Sequence, residues 1–113
     1  MKKKIFNLLN TVGVPCNLKG RLCIEIALEI VNEKGIISTT KELYPNIAER
    51  LGTTPSRVER AIRHAIQVCF NNTDYDTLFE VFGNTIKFNS CKVTNSEFIY
   101  GIKKYIDINY KEA

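Results

Sequence analysis

Apolar positions recur along most of this chain at three- and four-residue spacings, the period of helices that bury one face. The pattern is clearest over residues 56–69. Advancing about 100° per residue brings Val58, Ala61, Ile62, Ala65, Ile66 and Cys69 to one side. Ser56, Arg57, Arg60, Arg63, His64 and Gln67 fall on the other. Upstream, residues 5–12 predict a short apolar helix ending near Gly13, and Pro15 disfavours helical geometry at Val14. Residues 18–34 predict a second helix with a core stripe of Leu22, Cys23, Ile26, Ala27, Ile30 and Val31, stopped by Gly35. Thr39 or Thr40 can cap a third helix whose apolar side is Leu43, Ile47 and Leu51. Pro45 either kinks that helix or has it begin at Tyr44. A loop after Asn71 and Asn72 leads into residues 75–82, where Leu78, Phe79, Val81 and Phe82 are apolar and Gly83 marks the end. Plain core packing is the expectation for Leu78, Phe79 and Phe82. Residues 85–92 alternate loosely and read as a short extended piece. Thr94 and Glu97 form a capping box for a last helix lined by Phe98, Ile99, Ile102 and Ile106. The expectation is an all-α chain of about six helices, with no internal repeat or linker.

The stretch before residue 56 gives the basic helix a context. Residues 46–52 read as the end of a short helix, with Gly52 where a left-handed C-terminal cap belongs. Thr53 and Thr54 can cap the next helix, and Pro55 suits a first turn, where its missing N–H costs nothing. Ser56 and Glu59 offer a competing capping box. A short helix, a glycine-containing turn and a longer basic helix make a helix-turn-helix. Ala48 is small enough to let the two helices approach closely. In this motif the second helix lies in the DNA major groove and its N-terminal residues touch base edges. The bland alternative is a solvated face with an acidic partner for each base at i,i+4. Glu59, however, is the sole acid between Thr53 and Asn72 and offsets one arginine at a time.

Composition narrows the reading without deciding it. The chain has 113 residues, 44% hydrophobic and 25% charged, ordinary values for one globular domain. A net charge of +4 permits polyanion binding without requiring it. The case therefore rests on where the arginines lie. The apolar stretch after Lys2, Lys3 and Lys4 is too short for a secretory signal, and nothing approaches a membrane span. Cys16, Cys23, Cys69 and Cys91 lack C-x-x-C spacing, and His64 is the one histidine, so no metal site is expected. Cys23 and Cys69 fall on apolar faces as buried thiols in a reduced, cytoplasmic protein. With no phosphate loop and no nucleophile–base pattern, neither catalysis nor a cofactor is expected.

Residues 56–66, preceded by Leu43-Tyr44-Pro45 and Ile47-Ala48 and followed by Thr94-Asn95-Ser96-Glu97-Phe98-Ile99, resemble the C-terminal effector domains of the stage zero sporulation regulator A family. These are the DNA-binding halves of master response regulators of endospore formation. The resemblance extends to Gly13-Val14-Pro15 and Leu18-Lys19-Gly20 and covers residues 9–110. It implies a helix-turn-helix fold of the winged-helix-like, response-regulator effector type. It also implies sequence-specific binding to duplex promoter boxes close to TGTCGAA. Carried over residue by residue, Arg57 and Arg60 would read guanines, and Glu59 would accept from a cytosine N4. Arg63 and His64 would lie towards the phosphates, with Thr54 and Ser56 near the backbone at the helix N-terminus.

The family also touches the sigma subunit of RNA polymerase through the stretch after the recognition helix, here residues 74–86, whose sequence has diverged. Tandem boxes suit a homodimer on DNA through the last helix, residues 96–110. A monomer is expected in solution, because no long heptad seam is present. Two departures stand out. No receiver domain accompanies the chain, which reads either as a free-standing paralogue or as an excised effector domain. Val93 takes the place of a proline before the last helix. A paralogue without a receiver could instead be an interaction module antagonising the full-length regulator, although retention of all three arginines argues against a version that has lost DNA. An RNA-binding module would need an exposed aromatic platform that the pattern does not supply.

Overall fold

A computed structural model of the chain describes residues 2–83 and 93–109. The helices are α1 (Lys2–Thr11), α2 (Lys19–Lys34), α3 (Tyr44–Leu51), α4 (Pro55–Asn72), α5 (Tyr75–Phe82) and α6 (Asn95–Asn109), and a π-helical turn, Thr39–Leu43, runs directly into α3. Among the described residues there is no strand. The extended piece predicted at 85–92, and Cys91 with it, lies outside them.

Helix α2 packs along α4, and α6 closes over both. The contact between α2 and α4 depends on Gly20, because a Cβ there would collide with the Ala61 carbonyl oxygen and the Ala65 methyl. Ile24, Ala27, Ile62 and Ala65 are fully buried. Phe70, Phe82 and Phe98 form an aromatic cluster joining α4, α5 and α6, with the Phe82 and Phe98 rings 5.0 Å apart. Such tilted pairs add to simple burial. Gly101 makes room for the Phe82 ring.

The predicted stripe of α2 needs correction. Leu22 is 49% exposed and Ile26 only half-buried, whereas Ile24 and Leu28 are in the core. Helix α2 meets α1 on one side and α4 and α6 on others, so it buries a wider arc than the single stripe of a surface helix. The open arc is then centred on Leu22 and Glu33. The prediction for α5 also divides. Leu78 and Phe82 are buried, but Phe79 is 45% exposed and stacks on Tyr75 at 5.9 Å.

Arg21 has a role that the helical pattern does not disclose. It is 1% exposed, the one buried charged residue among those described. Its guanidinium donates to the Val14 carbonyl at 2.6 Å, the Asn10 side-chain oxygen at 3.0 Å, the Phe6 carbonyl at 3.1 Å and Glu25 at 2.6 Å. It also lies 5.0 Å from the centre of the Phe6 ring. One side chain thus ties α1 and the loop after it to α2. The same loop is held from α4, where the Cys69 thiol and the Thr73 hydroxyl both donate to the Val12 carbonyl, at 2.9 and 2.7 Å. Burial pushes the Cys69 thiol up to about 12, so it stays a neutral donor.

Candidate nucleic-acid interface

Local chemistry sets the entry to α4. The π-helical turn Thr39–Leu43, capped by the Ser38 hydroxyl and not by Thr39 or Thr40, leads straight into α3, which begins at Tyr44 with Pro45 in its first turn. It ends at Gly52 in the left-handed conformation, φ 67° and ψ 40°, which a side chain would disfavour. The Ala48 carbonyl accepts from the N–H groups of Gly52 and Thr53. Thr54 then caps α4, its hydroxyl accepting from the Arg57 N–H at 3.2 Å, with Pro55 as the first helical residue. Thr54 takes this role in preference to Ser56, because Pro55 fits the helix start only if the cap is one residue earlier.

The apolar side of α4 is as predicted: Val58, Ile62, Ala65, Ile66 and Cys69 are buried, with Ala61 half-buried against Gly20. On the opposite side Thr54, Ser56, Arg57, Arg60, Arg63, His64 and Gln67 are exposed. From residue 57 to residue 64 the face runs about 10 Å along the helix axis, close to three base-pair steps of B-DNA. Glu59 stands at the edge, half-buried. One of its carboxylate oxygens accepts from Arg63 at 2.6 Å, with the two side chains 33% and 55% exposed. Its other oxygen is buried without a hydrogen-bond partner among the described residues. Glu59 precedes Arg63 by four residues, the favourable orientation for such a pair, worth only about 0.3–0.5 kcal/mol. Among the described residues no carboxylate pairs with Arg57 or Arg60.

Two residues outside the predicted set anchor this face. The Asn95 side chain, from the start of α6, donates to the Tyr44 hydroxyl at 3.0 Å and to the Glu59 backbone carbonyl at 3.1 Å. Tyr44 is buried, and that burial pushes its hydroxyl above the ordinary phenol range. The Asn95 bond and nearby Arg63 pull it down, while Glu59 raises it further. The capping box at α6 forms as read, with Thr94 and Glu97 bonding each other's backbone N–H at 3.1 and 2.8 Å. Cavities elsewhere are shallow clefts. One, about 680 Å³, lies between Val31, Ile36, Ile37, Tyr100 and Lys103. Among the described residues no cluster of His, Cys, Asp and Glu could hold a metal ion, and no helix is long and apolar enough to cross a membrane.

A short helix, a left-handed glycine turn and a longer helix with a basic outer face define a helix-turn-helix protein of the DNA-binding class. Residues 5–106 match the family described as sporulation initiation factor Spo0A C terminal. The chain belongs to that family, the DNA-binding effector domains of sporulation regulators, which is a regulatory family and not an enzymatic one.

Proposed function

We propose that the described chain acts as one sequence-specific, double-stranded DNA-binding domain that recognises promoter boxes close to TGTCGAA. The observation that carries this reading is the outer face of α4, where Arg57 and Arg60 are exposed and matched by no carboxylate among the described residues. Each guanidinium can pair bidentately with guanine O6 and N7. Glu59 accepts from a cytosine N4 after giving up part of its hold on Arg63. Arg63 and His64 sit towards the phosphates, and Thr54 and Ser56 face the backbone beside the positive end of α4. No cofactor or catalytic group enters this reading. The protein acts in the bacterial cytoplasm, on the nucleoid.

The partner contacts are part of the same proposal, supported by what the remaining helices leave exposed. In α5 the outward residues Asp76, Phe79 and Glu80 are the surface offered to the sigma subunit, since Leu78 and Phe82 are committed to the core. Helix α6 is the surface for a second copy on tandem boxes.

Binding to a labelled duplex containing TGTCGAA, beside a scrambled duplex of the same composition at near-physiological salt, tests the proposal. The expected result is tighter binding to the box by a factor of ~10³ or more. Equal weak binding to both, vanishing as salt rises, would reduce the arginine face to electrostatics. That outcome would favour an interaction module that opposes the full-length regulator without reading DNA itself.

A further inference from the structure

Asn95 opens α6 but does not serve it. The cap of α6 is the reciprocal pair of Thr94 and Glu97, and α6 is fixed in the core by Phe98, Ile99, Ile102 and Ile106. A separate anchor comes from the Tyr100 hydroxyl, which donates to the Ile37 carbonyl at 2.8 Å and accepts from the Ile37 N–H at 3.0 Å. The Asn95 amide is therefore free for another task. An amide nitrogen has two N–H donors, and here both are spent on the helix-turn-helix, one on the Tyr44 hydroxyl of α3 and one on the Glu59 carbonyl of α4. Glu59 lies between Arg57 and Arg60, in the turns of α4 that would meet base edges. The acceptors are 51 and 36 residues away in sequence, so this amide joins three helices at one point.

We propose that Asn95 is a positioning residue for DNA readout, holding the first turns of α4 at a fixed attitude to α3; this rests on the DNA-reading function proposed above. Bidentate arginine–guanine pairing requires donor–acceptor distances near 2.9 Å and near-linear geometry. A small rotation of the N-terminal half of α4 spoils that pairing. Phosphate contacts made by long, flexible side chains tolerate the same rotation. Loss of the bridge therefore separates specificity from affinity.

The test compares wild type with Asn95→Ala, Asn95→Asp and Tyr44→Phe. Asn95→Ala removes both donors. Asn95→Asp keeps the size and suits a helix N-terminus but cannot donate. Tyr44→Phe removes one of the two acceptors with almost no change in shape. For each, the ratio of affinities for the TGTCGAA and scrambled duplexes is measured, with the melting temperature and the salt slope of scrambled binding. The expected result is an about tenfold fall in the ratio for both Asn95 variants, equivalent to about 1.4 kcal/mol. Tyr44→Phe should give a smaller fall, and Asn95→Ala should bind the scrambled duplex with wild-type affinity and salt slope. An unchanged ratio in folded variants would overturn the positioning role alone. So would an equal loss on both duplexes in Asn95→Ala. A wild type that fails to discriminate would instead overturn the DNA-reading function, and the positioning role with it.

Discussion

Arg21 and the arginines of α4 are the same side chain in opposite surroundings. Arg21 is enclosed between α1 and α2, and its donors meet two backbone carbonyls, an asparagine oxygen and a carboxylate. Arg57 and Arg60 stand in water with no carboxylate against them among the described residues, and Arg63, itself exposed, pairs with the half-buried Glu59. A buried guanidinium is tolerated only when its charge and donors are matched. An exposed, unmatched one costs nothing in the free protein and keeps its hydrogen-bonding capacity for a ligand. The difference between Arg21 and an arginine left available to a ligand lies in the surrounding acceptors, which come from residues 4 to 15 positions away in the case of Arg21.

Mutation of the two regions should therefore separate stability from recognition. Arg21→Ala strands the Val14 carbonyl and leaves Glu25 without its partner, and should cost about 3 kcal/mol or more in denaturant unfolding. The DNA discrimination of whatever protein remains folded should be unchanged; a small loss of stability would break the contrast. Gly20→Ala tests whether recognition depends on the seating of α4 against α2. Overpacking there should cost about 1–3 kcal/mol in the same measurement, because the Ala61 backbone and the Ala65 methyl that obstruct it cannot swing away. Thr54→Ala removes the cap of α4 and should cost about 1 kcal/mol in thermal unfolding. Arg63→Ala should change stability by less than about 0.5 kcal/mol and lower the salt slope of duplex binding by about one.

The last stability prediction concerns pH and shows only under alkaline conditions. Burial raises the folded-state value of the Cys69 thiol to about 12, above its unfolded value. Its contribution to stability is thus complete below the ordinary thiol range and is lost as pH rises towards about 12. A Cys69→Ser variant keeps a hydroxyl facing the Val12 carbonyl and should lack this alkaline component of wild-type melting.

How far the sequence discloses these roles depends on the range of the interactions involved. The helix-turn-helix is legible because its determinants are local: Gly52, Thr54 and Pro55 act on adjacent backbone, and the two faces of α4 follow from one helical period. The capping box at Thr94 and Glu97 is local too. The exposure of Leu22 is not legible, because the period of α2 shows that it is amphipathic but not that neighbours enclose it on more than one side. The exposure of Phe79 is hidden for a related reason, since a short apolar helix does not say which aromatic turns outward. Arg21 and Asn95 carried no readable signal. Each is defined by acceptors supplied from other elements, and a helix pattern treats an arginine or an N-terminal asparagine as ordinary surface. The exposed arginines of α4 were readable because their neighbouring sequence holds one acid.

Arg60 offers the most direct test. Wild type and Arg60→Ala are titrated against the TGTCGAA duplex and a set of duplexes in which each base pair is changed in turn. If Arg60 reads a guanine, its loss costs ~1–3 kcal/mol on the intact box and flattens discrimination at one base position, leaving the other positions as they were. A uniform weakening across every duplex, with discrimination intact at all positions, would make Arg60 a phosphate anchor and contradict the assignment of this face to base readout.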